Sequence, residues 1–122
     1  MKALGEQELH NRAMEVVGKQ LEEDGFEFMT VNSELKKDPQ FVCLREKKLH
    51  FIIVRAISYP NNPVAYDGVF MEKIRSHAEK FEARTYYAGV GLAHGDDYEL
   101  PLVLDAPCAV NYQGLQEITL HG

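Results

Sequence analysis

The pattern of apolar and polar positions predicts a helix and then a strand at the start of the chain. Between Glu6 and Asp24 the apolar residues recur at helical spacing, and charged residues occupy the opposite face. Gly25 follows as a residue that can end a helix in the left-handed conformation. Residues 26–32 then alternate as a strand does. The helical stripe expected to face the core consists of Leu9, Ala13, Val16, Val17 and Leu21.

A strand hairpin between residues 38 and 56 forms the centre of the predicted fold. Phe41–Leu44 is a short apolar run and Leu49–Ala56 is a longer one. The charged segment Arg45–Lys48 lies between them and lacks glycine, so a loop of about four residues is expected rather than a two-residue turn. The run at 51–54, Phe-Ile-Ile-Val, is too short for an isolated helix and predicts a strand buried on both faces.

Beyond the hairpin the pattern predicts a second helix and several further strands. The segment SYPNNP at 58–63 ends the hairpin strand, and Tyr66–Ala83 has helical spacing. A strand is predicted over Thr85–Ala93, where Gly89 and Gly91 on one face indicate the close approach of another backbone or a helix. Shorter elements are expected at Leu100–Leu104, at Ala109–Tyr112 and in an amphipathic tail, Leu115–Leu120.

Composition and charge narrow the class of protein. A chain of 122 residues that is 45% apolar and 26% charged predicts one globular domain over residues 1–122. No apolar run approaches the roughly 20 residues of a membrane helix, and the first residues lack the apolar core of a signal peptide. We therefore expect a cytoplasmic protein without membrane insertion. The net charge of -6 disfavours nucleic acid as a partner, although most Lys and Arg residues lie in the segment 35–84.

The predicted order of elements resembles a known fold. Helix, three strands, helix and strand form the αβββαβ core of the restriction-endonuclease-like fold, a mixed sheet flanked by helices. In nucleases of the PD-(D/E)xK superfamily the second strand opens with a catalytic Asp, and the third strand resembles FVEVK. Here FIIVR stands at that strand, residues 51–55. The resemblance covers roughly residues 7–93 and implies an α/β domain of this fold.

The residues that would carry nuclease chemistry are replaced. Ile53 stands at the Glu position and Arg55 at the Lys position, while the Asp position falls near Gln40 or Phe41. Two carboxylates must hold the divalent cation, and a protonated Arg cannot act as a base. The resemblance therefore implies an inactive relative without metal or cofactor. The leading hypothesis is a non-catalytic binding or assembly module whose partner is an unknown protein or a second copy of the chain.

Two alternatives remain open. One is a metal-dependent nuclease whose site has moved to Asp38, Glu46 and a first-helix carboxylate such as Glu15. The other follows from a resemblance to short bacterial chains that are identified as part of a sodium-translocating NADH:quinone reductase. Such a subunit resembles a ferredoxin fused to a flavin and NADH module, and an iron–sulfur cluster takes four cysteine thiolates. The two cysteines present, Cys43 and Cys108, cannot supply them and are expected to be free thiols in apolar surroundings.

Histidines and tyrosines give weaker candidates. His94, with the two aspartates that follow at 96 and 97, could begin a metal site, but a polar loop is the favoured interpretation. His10 is expected on the surface of the first helix. Cys43 and His50 face each other across the hairpin but lack an orienting acid for nucleophilic chemistry. The Tyr-rich strand at 85–93 and the strands after it are candidates for self-association.

Arg55 should have a charged partner. An isolated guanidinium at the end of a buried strand is costly, so a carboxylate such as Asp38 or Glu15 is expected beside it, unless the side chain reaches solvent.

Overall fold

The computed structural model describes residues 3–119, which form two helices and six strands. In chain order these are α1 (Glu6–Glu23), β1 (Glu27–Val31), β2 (Phe41–Arg45), β3 (Lys48–Ser58), α2 (Gly68–Glu79), β4 (Arg84–His94), β5 (Cys108–Tyr112) and β6 (Gln116–Ile118).

The six strands form one mixed sheet with the order β1-β2-β3-β4-β5. The β1–β2 and β2–β3 pairs are antiparallel, as a run of hairpin connections requires. The β3–β4 pair is parallel and is joined through α2, which is the helical crossover that parallel neighbours need. Both β5 and β6 run antiparallel to β4, along the edge that β3 leaves open. The prediction of a mixed α/β sheet with helices is confirmed.

Each helix covers one face of the sheet, and β3 supplies core residues to both. Ile52 and Val54 belong to the larger apolar cluster under α1, which includes Val17 and Leu21. Ile53 points to the other face and packs in the smaller cluster that contains Met71 of α2, together with Tyr87 and Ile118. All three β3 residues are fully buried, which confirms a strand buried on both faces.

The first helix begins and ends close to the predicted residues, but its buried face differs. Gly25 has a φ of +82°, so it adopts the left-handed conformation expected after the helix. The prediction that His10 lies on the surface is wrong, because its side chain is only 1% exposed. Met14 is buried as well. The buried stripe is rotated toward these two residues, while Leu9 and Val16 are half-buried.

The hairpin turn is tighter than predicted. Arg45 pairs with Lys48, so only Glu46 and Lys47 form the turn. Their φ angles are +53° and +65°, which is the left-handed pair that two-residue hairpins require. The absence of glycine led to the wrong expectation of a four-residue loop, because two ordinary side chains here adopt a conformation that usually selects glycine or asparagine.

Two segments in the second half of the chain also differ from the prediction. Leu100–Leu104 is not a strand, and within it only Val103 forms an isolated bridge, with Ala3. Leu102 and Val103 are consecutive and both buried, so the segment does not alternate. The predicted tail contains β6, and its last residue, Leu120, lies outside the described residues.

The second helix is shorter than expected. It starts after Asp67, whose carboxylate accepts a hydrogen bond from the backbone N–H of Phe70 at 3.1 Å, as an N-cap does. It ends at Glu79, so Phe81 lies beyond it and is 53% exposed. Neither described helix is long and apolar enough to cross a membrane.

The glycine pair of β4 has the close neighbour that the sequence predicts. A Cβ atom built on Gly89 would lie 1.9 Å from the carbonyl oxygen of Pro63, and one on Gly91 would lie 3.2 Å from the proline ring. The loop after β3 therefore packs directly on the backbone of β4, which confirms the expectation of a close backbone approach.

Candidate functional site

The site begins where β2 stops pairing with β3. The β2–β3 ladder ends at Phe41 opposite Ile52, although β3 continues to Ser58 and stays paired with β4 on its other side. Gln40, the residue just before β2, is fully buried at this point. The last four residues of β3, Arg55–Ser58, therefore have no β2 residues beside them.

The Gln40 side chain makes a hydrogen bond to β3 at the point where β2 no longer pairs with it. Its Oε1 accepts a hydrogen bond from the backbone N–H of Val54 at 2.7 Å. Its Nε2 donates to Asp38 Oδ1 at 2.8 Å and to the carbonyl of Lys37 at 3.1 Å. The amide thus satisfies a strand N–H with one end and orients a carboxylate with the other.

Arg55 and Asp38 form a two-pronged ion pair beside Gln40. The two terminal guanidinium nitrogens of Arg55 donate to the two carboxylate oxygens of Asp38 at 2.8 and 2.9 Å. Arg55 also donates to the carbonyl of Val54 at 2.9 Å, and its guanidinium lies 5.5 Å from the centre of the Phe70 ring. The prediction that Arg55 pairs with a carboxylate is confirmed, and the partner is Asp38.

The electrostatics of Asp38 follow from this pair. Partial burial favours the protonated carboxyl and opposes ionisation. The hydrogen bonds from Arg55 and Gln40 outweigh that effect, so the pKa of Asp38 lies below its usual value. Asp38 is held as a carboxylate whose two oxygens are already engaged by a cation.

The other candidate positions do not join this pair in a metal site. Ile53 points into the apolar cluster under α2. Glu15 is exposed on α1, in a groove shared with Phe28, and Glu46 lies in the hairpin turn. Within residues 3–119 no three His, Cys, Asp or Glu side chains form a group that could hold a metal ion, and Asp38, Glu15 and Glu46 form none.

An open cleft of about 600 Å³ adjoins the ion pair. It lies between the start of α1 and the part of β3 that β2 does not cover, and the loop after β3 closes its far side. Its lining residues include Glu6, His10, Lys36, Arg55, Ser58 and Asn62. We call it the His10 cleft.

His10 is the buried titratable group of this cleft. Neither ring nitrogen has a hydrogen-bond partner among the described residues. Burial and then the positive charge of Arg55 lower the pKa of His10, whereas Asp38 acts in the opposite direction. Sequence reasoning missed this residue, although a signal existed: positions 10, 14, 17 and 21 have helical spacing, and three of them are plainly apolar.

Cys43, His50 and His94 were the other candidates for chemistry. Cys43 and His50 are opposite each other in the β2–β3 register, as expected. Burial raises the pKa of the Cys43 thiol to about 11, so the nucleophilic thiolate is disfavoured. His94 is the buried last residue of β4 rather than part of a loop, and its Nδ1 accepts hydrogen bonds from the backbone N–H groups of Asp96 and Asp97 at 3.1 and 3.4 Å. Both cysteines are free.

The position of the Tyr-rich strand bears on the expected self-association. This strand, β4, has β3 on one side and both β5 and β6 on the other, so its backbone is not available to a second copy. Within residues 3–119, edges of the sheet are formed by β1, which exposes Phe28, Met29 and Val31, and by β5, one of the C-terminal strands, so self-association through those strands stays a prediction.

Comparison with known families gives one result. A family model described as "Domain of unknown function (DUF8840)" matches residues 7–118, which contain nearly all of α1 and every later element of the sheet and crossover. Neither the comparison with curated proteins nor the comparison with solved structures gives a match.

Proposed function

The chain belongs to the DUF8840 family, and we propose that it is a non-catalytic binding or assembly module on a restriction-endonuclease-like scaffold. The order of elements and strands supports this relationship. A helix, a three-strand antiparallel run, a crossover helix and a parallel strand follow one another, and strands 1 to 5 are adjacent in chain order. The two helices contribute to apolar clusters on opposite faces of the sheet, as the αβββαβ core implies.

One observation carries the non-catalytic assignment: both oxygens of Asp38 are engaged by Arg55. A divalent cation needs carboxylate oxygens, and binding it here would require breaking a partly buried ion pair. The adjacent positions supply no second carboxylate, because Ile53 is apolar and Gln40 uses its amide to bind Val54 and Asp38. The geometry therefore favours a scaffold that binds over one that cleaves.

Metal titration and cleavage assays test this proposal. Mg²⁺ and Mn²⁺ are titrated into the protein by calorimetry, and the protein is incubated with single- and double-stranded DNA and with RNA. We expect no binding heat and no cleavage. Metal binding together with cleavage would overturn the proposal and support the nuclease alternative.

A restored variant provides the matched control. Gln40→Asp, Ile53→Glu and Arg55→Lys together return the residue types of the active nucleases, and circular dichroism verifies that this variant folds. If the scaffold is nuclease-like, the folded triple variant should bind Mn²⁺ where the unmodified chain does not. A folded triple variant without Mn²⁺ binding would count against the nuclease-like scaffold.

The assembly part of the proposal has its own test. Size-exclusion chromatography with light scattering measures the mass of the protein over a range of concentrations. A dimer that is lost when Val31, exposed on the β1 edge, is replaced by Lys would place the contact at that edge, because edge charges oppose strand pairing. A monomer at high concentration would remove self-association and leave only a different partner.

A further inference from the structure

His10 is a buried polar residue whose two ring nitrogens make no hydrogen bond to the rest of the described chain. The residue is 1% exposed, and both Nδ1 and Nε2 are buried without a hydrogen-bond partner. Buried polar groups nearly always have a partner, and each exception calls for an explanation such as a bound ligand, ion or water. An apolar residue would fill the same place beside Met14 without that cost. The unpartnered imidazole therefore indicates that something polar binds in the His10 cleft.

The chemistry of the cleft wall favours a ligand rich in hydrogen-bond acceptors. Lys36 and Ser58 contribute donors, and Asn62 keeps its NH₂ group because its oxygen accepts from the N–H of Val64. Arg55 has five N–H groups, of which three are used by Asp38 and Val54. The start of α1 adds a partial positive charge from the helix dipole, and Glu6 is the acidic residue that lines the cleft.

We infer that the His10 cleft binds a small molecule bearing an oxyanion, either a carboxylate or a phosphate monoester, with His10, Lys36 and Arg55 facing the anionic group. This inference rests on the proposed function and specifies its ligand. A volume of about 600 Å³ lies in the range of small-molecule sites and exceeds what a lone ion needs.

Protonation of His10 should accompany binding. In the free protein, burial and the charge of Arg55 lower the pKa of His10, and Lys36 on the cleft wall has the same sign of charge. Asp38 acts in the opposite direction, but its carboxylate is paired with Arg55, and Glu6 is the acidic side chain on the cleft wall. A bound anion adds negative charge beside the imidazole and favours its charged form. Affinity should therefore rise as the pH falls, and binding should take up a proton.

Calorimetry with two simple probes tests the inference. Inorganic phosphate and succinate are titrated at about pH 6 and about pH 8, the range that brackets histidine titration, in buffers of different ionisation enthalpy. We expect saturable binding of at least one probe, roughly tenfold tighter at the lower pH, with a heat that depends on the buffer because a proton is taken up.

Three variants in the cleft and one control outside it locate the site. Lys36→Ala should weaken binding severalfold, whereas Lys73→Ala, on the exposed side of α2, should not change it. His10→Gln keeps a donor and an acceptor but cannot titrate, so it should retain binding and lose the pH dependence. Ser58→Ala, at the exposed end of β3, gives a second cleft variant if His10→Gln does not fold.

The outcomes separate this inference from the proposed function. Absence of saturable binding by both probes at the lower pH would overturn the inference, while absence of metal binding and cleavage would still support the non-catalytic module. Binding that is insensitive to Lys36→Ala and Ser58→Ala would place the anion elsewhere and overturn it too. Binding of a short oligonucleotide without binding of either small probe would identify a nucleic-acid backbone as the ligand and overturn the small-molecule inference.

Discussion

Arg55 and Asp38, 17 residues apart in sequence, meet through two parallel hydrogen bonds that join both ends of the guanidinium to both oxygens of the carboxylate. Their side chains are 23% and 12% exposed, so the pair is largely shielded from water. Such a planar, two-pronged pair is the strong form of a charged hydrogen bond, and it is specific to arginine. The pair ties the loop before β2 to β3, two segments that the strand ladder alone does not connect at this point.

Removing the arginine should destabilise the protein strongly. Arg55→Met leaves the Asp38 carboxylate partly buried without its cation, and we expect a loss of about 3 kcal/mol in the free energy of unfolding. Urea denaturation followed by circular dichroism measures this change. The double variant Arg55→Met/Asp38→Leu removes both charges and should recover part of the loss. If the single variant is as stable as the unmodified protein, the pair has no structural role.

Acid should weaken the protein through Asp38. The pKa of this carboxyl is lower in the folded state than its ordinary value of 3.8, so at mildly acidic pH the unfolded chain binds more protons. The stabilisation by Asp38 is complete above that value and is lost as the pH falls through the lower folded pKa. Asp38→Asn should therefore be less stable than the unmodified protein near neutral pH, and the difference should shrink below about pH 4. A constant difference across this range would contradict the assignment.

Gly89 should not tolerate a side chain. A Cβ atom there would lie 1.9 Å from a backbone oxygen, that of Pro63, which cannot move as a flexible side chain can. We expect Gly89→Ala to cost about 3 kcal/mol or more, measured by thermal or urea unfolding. Gly68 provides a matched control, since a Cβ atom there has no neighbour within 4 Å and alanine favours the helix that starts at this residue. Equal effects of the two substitutions would contradict the packing argument.

The hairpin turn offers a stabilising change. Glu46 and Lys47 both have left-handed backbones, a conformation that costs non-glycine residues free energy. Replacing the pair by Asn-Gly should raise the free energy of unfolding by about 1–2 kcal/mol, because these residues adopt the two-residue turn readily. Gly25→Ala should act in the opposite sense, since that glycine has a φ of +82°. No gain from the Asn-Gly turn would indicate that Glu46 and Lys47 make compensating contacts.

The elements that could be predicted from the sequence are those fixed by local periodicity. The first helix, the hairpin strands and β4 lie close to their expected positions because several apolar residues in each repeat at one spacing. The two-residue turn at Glu46 and Lys47 could not be predicted in the same way, since both residues adopt a left-handed backbone conformation that their side chains do not favour. The prediction of a strand at Leu100–Leu104 was wrong for a related reason. Consecutive buried residues in this segment are set by tertiary contacts, which a pattern of alternation does not reveal.

The candidate site could be predicted only in part. The ion pair of Arg55 follows from the cost of an unpaired buried charge, a rule that applies to any fold. The burial of His10 depends on how α1 is rotated about its axis over the sheet. More than one rotation would bury apolar residues of this helix, so the sequence does not determine which one is adopted. The cleft itself is created by the early end of β2, a feature that appears only when two strands of unequal length are aligned.

Gln40 has a consequence for the alignment of the strands as well as for the site. Its backbone N–H donates to Ile52, its backbone carbonyl accepts from Asn32, and its side-chain oxygen accepts from Val54. If the register of β2 shifted by one residue, this side chain would point to the opposite face of the sheet, and the backbone N–H of Val54 would lose its acceptor. The amide therefore helps to fix the register of the hairpin, because a shifted pairing of the apolar segments of β2 and β3 would leave the Val54 N–H without this acceptor.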